Sequence, residues 1–142
     1  EISNLFPLIT QVASKKLKTL KIFGNDWPTP DGTGIRDFIH IMDLADAHLA
    51  SLKFLQNTSP SLNIFNIGTG IGTTVLELIK VFENTNNCKV PVEFTKRREG
   101  DVSKSVADVR LALDTLDWNP IRTIEEACRD GWLWQKNYNH RY

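Results

Sequence analysis

Helical and extended hydrophobic patterns alternate along this chain, and no other feature constrains its fold as tightly. Alternation of that kind predicts an α/β architecture rather than a helical bundle or a β-sandwich. Leu5, Leu8, Ile9 and Val12 carry the i, i+3, i+4, i+7 spacing of an amphipathic helix over residues 4–14. Pro7 fits in its first turn, where a missing N–H costs nothing. Lys15, Lys16, Lys18 and Lys21 read as a solvated run at or beyond the end of that helix, where cations suit the dipole. A short strand over Leu20–Phe23 then leads into the loop Gly24–Gly34, whose three glycines and two prolines exclude regular structure. A loop that long inside a compact unit is either functional or disordered.

Residues 36–41 read as a strand. Asp43 is placed to cap a helix running through Leu44, Ala47, Leu52 and Leu55. A further strand over Leu62–Ile67 runs into Gly68-Thr69-Gly70-Ile71-Gly72, and a helix from Val75 to Glu83 follows, with Thr74 and Glu77 spaced as a capping box. Pro91–Thr95 is the last clear strand, and residues 109–116 form a short helix. After the turn Trp118-Asn119-Pro120, Thr123 and Glu126 offer a second capping box for the final helix.

The 142 residues predict one domain, large enough to bury a core. A hydrophobic share of 41% with 24% charged residues is that of a globular chain, not a disordered one. The 17 Lys and Arg balance 17 Asp and Glu, which argues against binding nucleic acid through bulk charge. No apolar run approaches the ~20 residues of a membrane helix, and Glu1 to Phe6 lack the basic start of a signal peptide. Because the chain begins with Glu1 and its one methionine is Met42, it reads as a piece of something longer. Cys88 and Cys128 have no Cys or His neighbours at zinc-ligand spacing, so both are expected to be free thiols in a reducing cytosol.

Gly68-x-Gly70-x-Gly72 lies between a strand and a helix, but Thr73 stands where a dinucleotide fingerprint needs its third glycine. The next acidic residue past the helix, Glu93, falls inside a strand, so this cluster reads as a tight turn feeding a capped helix. Lys96-Arg97-Arg98-Glu99-Gly100-Asp101 is more informative. An arginine fork grips phosphate oxygens, a carboxylate accepts vicinal ribose hydroxyls, and Gly100 permits a sharp turn that presents both. A solvated cluster of internal ion pairs fits the same residues equally well. Arg36 enters a strand built of Phe38, Ile39 and Ile41 and could meet a second phosphate, making a diphosphate clamp with Arg98; the alternative is a pair with Asp37 or another carboxylate. His40, His48 and His140 lack a nucleophile motif nearby and read as core or surface residues. Trp132, Trp134 and Tyr138 read as packing for the final helix.

Taken together, four stretches resemble the UDP-glucose 4-epimerases of the extended short-chain dehydrogenase/reductase family. They are Ile22 to His40, Met42-Asp43-Leu44-Ala45-Asp46-Ala47-His48, Phe65-Asn66-Ile67-Gly68-Thr69-Gly70 and Arg97-Arg98-Glu99-Gly100-Asp101. The resemblance covers essentially the whole chain and places residues 1–142 as a single C-terminal, UDP-sugar-binding region, lacking most of the Rossmann half. It implies that Asn4, Arg36 and Arg98 contact the diphosphate and that Asp101 takes the uridine ribose hydroxyls. The segment from Lys21 to Phe23 would hold uracil through backbone groups and the Phe23 ring.

It also implies chemistry that these residues do not supply. The family passes a hydride between sugar C4 and bound NAD, with a Tyr-x-x-x-Lys pair as base and an N-terminal glycine-rich turn holding the cofactor. Tyr138 and Tyr142 precede no such lysine. No catalytic and no NAD-binding residue is therefore expected here, and the chain alone should bind UDP-glucose or UDP-galactose weakly at most and turn over nothing. Ser105 falls where the family carries either a large aromatic or a small residue. A small one leaves room for an N-acetyl group, which would admit N-acetylated UDP-hexoses. The intact enzyme is expected to be a cytoplasmic homodimer. Its rivals are the lobe of another nucleotide-sugar dehydratase or decarboxylase, and a non-catalytic nucleotide-sugar-binding module. In the family this half packs on the nucleotide-binding half, so the Leu44–Leu55 face is expected to lack its cover here.

Overall fold

Helices outweigh strands in the computed structural model, which describes residues 4–138. In chain order the elements are α1 (Leu5–Ala13), β1 (Leu20–Phe23), β2 (Ile35–Arg36), α2 (Ile41–Gln56), β3 (Thr73–Thr74), α3 (Val75–Asn86), β4 (Val92–Thr95), β5 (Lys104–Ser105), α4 (Arg110–Leu116) and α5 (Ile124–Tyr138). The architecture is α/β, as the alternation predicts. β1 pairs in parallel with β4, from Leu20 opposite Val92 to Phe23 opposite Thr95. In the second sheet β2 is central, antiparallel to β3 and parallel to β5, with Arg36 opposite both Thr73 and Ser105.

Two apolar clusters hold these elements. The larger joins α1, β1, α3 and α5 through Ile9, Val12, Leu20, Ile22, Leu78, Ile79, Phe82, Val90 and Cys128. Phe82 is its centre, with Phe6 and Trp132 meeting its ring edge-to-face at 6.1 and 5.9 Å. Such contacts add to what area burial alone supplies. The smaller cluster packs Ala47 of α2 against Ala112, Leu116 and Trp118. Both capping boxes form: Thr74 and Glu77 exchange bonds at the start of α3, as do Thr123 and Glu126 before α5. Among the described residues no helix is long and apolar enough to cross a membrane. Both cysteines are free; burial pushes the Cys128 thiol up to about 12, and burial also raises Cys88.

Three expectations about elements need correction. The strand expected over residues 36–41 is paired only at Ile35–Arg36; beyond it the Asp37 side chain accepts from the Thr69 and Gly70 N–H groups, and no ladder continues. No strand forms over Leu62–Ile67, although its alternation is real: Phe65 meets Phe54 at 5.8 Å while Leu62 and Ile64 face outward. A period of two turns one face inward but makes a strand only where a neighbour offers its backbone. Asp43, expected to cap α2, lies inside its first turn and is buried. It accepts the Arg122 backbone N–H at 3.0 Å and pairs with the Arg122 guanidinium. The cap is His40, whose Nδ1 accepts the Met42 N–H at 3.0 Å.

The Leu44–Leu55 face of α2 lacks its cover at Leu52 and Leu55, as expected. Asp43, Ala47, Ala50 and Phe54 turn inward, leaving Ile41, Leu49, Leu52 and Leu55 between 51% and 69% exposed. A contiguous apolar stripe of this kind favours association. Residues 1–142 are expected to self-associate with rising concentration in static light scattering. Replacing Leu52 and Leu55 together by lysine should reduce this without lowering the melting temperature, since both side chains are exposed.

The Gly24–Gly34 loop contains no regular structure, but it is ordered. The Asp31 carboxylate accepts the backbone N–H of Thr33 at 2.9 Å and its hydroxyl at 2.7 Å, and also the Thr74 hydroxyl. Thr33 is fully buried, and its Oγ1 accepts the Leu76 N–H at 3.3 Å. The loop is thereby tied to the first turn of α3. Burial raises the Asp31 carboxyl, but the bonds from Thr74 and Thr33 outweigh it and hold the group below the usual carboxylate value. Stability from a lowered carboxylate is present above its unfolded pKa of about 4 and is lost as pH falls through the folded value. Asp31→Asn should therefore lower the unfolding free energy read from urea curves at pH 7 by a small step, about 1 kcal/mol or less for so exposed a group. The difference from the parent should shrink towards pH 3.

Candidate functional site

The end of β1, the Gly24–Gly34 loop, β2, the start of α1 and the turn after β4 converge on one cleft of about 560 Å³. Its walls include Asn4, Lys21, Phe23, Arg36, Arg98 and Asp101. Six of the seven residues singled out from the sequence thus share one space, although they come from segments up to 97 positions apart (Asn4 to Asp101). The seventh, Ser105, lies in an adjoining recess of about 380 Å³ with Asn66, Ala107 and Asp108, and Arg36 borders both spaces. The register of β2 with β5 sets that arrangement by placing Ser105 opposite Arg36.

Each polar group has an identifiable position. Asn4 is the N-cap residue of α1, yet its side chain makes no capping bond. Lys21 is exposed on β1 and Phe23 closes that strand, with its carbonyl accepting the Trp27 indole N–H at 3.2 Å. Arg36 folds back along β2, donating from Nη1 to the Ile35 carbonyl at 2.8 Å. The alternative reading, an Arg36–Asp37 pair, does not occur: Asp37 points away and accepts from Thr69 and Gly70. Arg36 has no ion-pair partner among the described residues.

The two adjacent arginines separate. Arg97 turns out of the cleft, lies 3.9 Å over the Trp27 ring and pairs with Asp26 at 2.8 Å. Arg97 thus pairs outside its own cluster, whereas the internal ion pair that the cluster could form is made by Arg98 and Asp101. Arg98 faces the cleft, 4.1 Å from the centre of the Phe23 ring and 3.5 Å from the Asp101 carboxylate. Gly100 makes the turn between them with φ of +83°, a conformation that favours glycine. Lys21, Arg36 and Arg98 thus line a cleft whose described lining contains one carboxylate, Asp101. That balance suits a dianion carrying hydroxyls.

The glycine cluster is not part of this cleft. The N–H groups of Thr69 and Gly70 both donate to Asp37, each at 2.9 Å, so the amides that a pyrophosphate would use already serve a protein carboxylate. A Cβ on Gly68 would come within 2.4 Å of that carboxylate, which explains the glycine without any cofactor. This turn does not fit NAD. Among the described residues no group of three or more His, Cys, Asp or Glu could hold a metal ion. His40 and His48 serve helix α2 itself, while His140 and Tyr142 lie outside the described residues. Trp132 packs on the larger core as expected, whereas Trp134 and Tyr138 stack on each other at the surface. Beside Ser105, the hydrogen-bonded Arg110 guanidinium holds the Asp108 carboxyl down at about 2.

Sequence reasoning overlooked several cleft residues. Trp27, Leu5, Leu8, Phe38 and Val75 line its apolar side. Leu5 and Leu8 signal a helix by periodicity, Phe38 a strand beside Arg36 and Val75 a helix start, and none of these signals marks a cleft. Trp27 sat in a loop whose path no local pattern reveals.

Comparison with known proteins places this geometry in context. Residues 2–131 match the family model described as GDP-mannose 4,6 dehydratase. The UDP-glucose 4-epimerase of Bacillus subtilis (strain 168) is 44% identical over 140 residues, covering 99% of this chain and 41% of that protein. A solved UDP-glucose-4-epimerase from Stenotrophomonas maltophila, with bound NAD and formylated UDP-arabinopyranose, superposes with a TM-score of 0.95 at 45% identity. The match covers 99% of this chain and 42% of that one. The UDP-Glc/GlcNAc 4-epimerase of Campylobacter jejuni superposes with a TM-score of 0.85 at 34% identity, over 96% of this chain and 42% of that one. The chain spans about two fifths of the length of the curated relatives it matches.

Proposed function

This chain belongs to the extended short-chain dehydrogenase/reductase family, through the GDP-mannose 4,6 dehydratase model that spans it, and we propose that it is the UDP-sugar-binding portion of a UDP-glucose 4-epimerase. The observation that carries this reading is the cleft, which Lys21, Arg36 and Arg98 line together with Asp101 and Phe23. In this reading Arg36, Arg98 and the uncommitted amide of Asn4 bind the diphosphate. Charge-assisted arginine–phosphate bonds are the strong kind, and they fix geometry as well as charge. Asp101 accepts the ribose hydroxyls, and backbone groups from Lys21 to Phe23 hold uracil beside the Phe23 ring.

The chemistry belongs to the intact enzyme, a cytoplasmic homodimer. NAD, bound outside these residues, supplies the hydride acceptor and donor at sugar C4. What this chain contributes is substrate binding and orientation. Its turn at Gly68–Gly70 is closed to a pyrophosphate by Asp37, and Tyr138 is followed by no lysine at the needed spacing. The region 1–142 acts as one substrate-binding unit that turns over nothing by itself. The description of the matching family model favours a second reading, the lobe of a nucleotide-sugar dehydratase or decarboxylase. The epimerase reading is preferred because the relative at 44% identity and the neighbour superposing at 0.95 are epimerases by name.

Nuclear magnetic resonance titration of residues 1–142 with UDP should shift signals of Phe23, Trp27 and Asp101 with affinity in the millimolar range. Arg36→Ala should weaken this about tenfold, the effect of removing one charge-assisted phosphate contact. Micromolar or tighter binding would favour a free-standing binding module. Turnover of UDP-galactose by residues 1–142 with NAD would refute the division of labour.

Ser105 borders the recess next to the cleft, and its small side chain leaves that recess open. A Campylobacter jejuni relative is named for both UDP-Glc and GlcNAc. The intact enzyme is therefore expected to accept UDP-N-acetylglucosamine as well as UDP-glucose. Ser105→Tyr should remove the first activity and keep the second, since added bulk raises a steric veto against the larger sugar alone. Equal rates on the N-acetyl substrate before and after the substitution would sink this idea.

A further inference from the structure

Arg98 occupies, in this structure, both groups assigned above to the nucleoside. Its guanidinium lies 4.1 Å from the centre of the Phe23 ring and 3.5 Å from the Asp101 carboxylate, and all three side chains line the same cleft. A planar guanidinium over an aromatic face fills the space that a planar base stacking on that face must take. An ion pair on Asp101 likewise competes with hydroxyls for the carboxylate lone pairs.

The two ends of this arrangement differ in stiffness. Phe23 closes a strand paired residue by residue with β4, and its carbonyl is fixed by the Trp27 indole. Arg98 stands on the turn after β4, where Gly100 adopts φ of +83° and no heavy atom lies within 4 Å of where its Cβ would be. Its side chain is half-exposed, and both its contacts are of the weak, solvent-screened type. Arg36, by contrast, is held by the Ile35 carbonyl and has no carboxylate to leave.

We infer that Arg98 is a displaceable occupant of the nucleoside subsite: the incoming base and ribose push it off Phe23 and Asp101, and it then closes on the diphosphate beside Arg36. This inference rests on the UDP-sugar reading of the cleft and concerns how that site selects. A ligand with a diphosphate repays the displacement through new arginine–phosphate bonds. A nucleoside without phosphate does not. The same residue therefore rejects uridine and retains UDP, so discrimination comes from a competing contact as well as an attractive one.

The two ligands should respond to Arg98→Ala with opposite signs. In titrations of residues 1–142 followed by nuclear magnetic resonance, uridine affinity should rise about two- to fivefold, the factor equivalent to one exposed cation–π contact. UDP affinity should fall about tenfold or more. Folding should be retained, because Arg98 has no buried partner. In a Phe23→Leu background the gain for uridine should shrink, since the contested face is gone while the Asp101 pair remains; that coupling is what a double-mutant cycle reads. Parallel loss of uridine and UDP binding in Arg98→Ala would overturn the inference while leaving the UDP reading standing. Absence of any UDP-induced shift in the parent chain would overturn the UDP reading itself, and the inference with it.

Discussion

The Asp37 carboxylate is the contact on which the rest of the site depends. Its two oxygens accept the Thr69 N–H at 2.9 and 3.1 Å, the Thr69 hydroxyl at 2.6 Å, the Gly70 N–H at 2.9 Å and the Ala107 N–H at 3.4 Å. One side chain thereby joins the segment after β2, the glycine turn before β3 and the segment after β5. Hydrogen bonds to a charged group contribute about 1.5–3 kcal/mol each, more than the neutral bonds of a ladder. This matters because β2, β3 and β5 are two residues long, too short for their ladders alone to fix a register. Arg36 immediately precedes Asp37, and Ser105 lies two residues before Ala107. The latch therefore positions the side chains on both borders of the cleft and its neighbouring recess.

The same device recurs wherever a loop must be held. Asp31 ties the Gly24–Gly34 loop to the start of α3, and Asp43 ties the segment before α5 to the first turn of α2. Glu83 accepts the Val90 N–H at 2.7 Å and so fixes the approach to β4. Carboxylates can do this because each offers up to four lone-pair positions to backbone N–H groups that irregular chain leaves unpaired. Side-chain latches thus replace much of the ladder hydrogen bonding that a larger sheet would supply, and the helices supply the apolar burial.

How much of this is visible in the sequence depends on whether the cause is local. Capping boxes at Thr74–Glu77 and Thr123–Glu126 are readable because the partners lie three residues apart. The helix periodicity of α1 is readable for the same reason. Asp43 and His40 are not: Asp is a preferred cap type and His is not, yet Asp43 is engaged by Arg122, 79 positions away, and His40 accepts the Met42 N–H. The run Leu62–Ile67 shows the converse, a correct period with no neighbouring backbone to turn it into a strand. Cleft residues became legible once chemistry replaced periodicity. Arg36, Arg98 and Asp101 are polar groups next to a glycine-rich loop or a glycine turn, where burial alone gives them no reason to be. Trp27 stayed hidden because its place depends on the course of the whole Gly24–Gly34 loop.

Net charge illustrates the same limit from the other side. Equal numbers of cations and anions exclude a strong overall field, but they say nothing about how the charges pair. Arg97, Arg110 and Arg122 are each answered by a neighbouring aspartate. Lys21 and Arg36 are not answered by any among the described residues, and Arg98 shares its carboxylate with the cleft they line. Pairing elsewhere thus leaves an unbalanced positive group at one concave place on a neutral molecule. Short-range charge of this sort is screened over roughly 8 Å at physiological salt, so it acts on a small dianion already inside the cleft and hardly at all on a distant polyanion. On the proposed reading, a chain with no net charge can therefore select a nucleoside diphosphate, because that selection depends on where three cations stand and not on how many the chain contains.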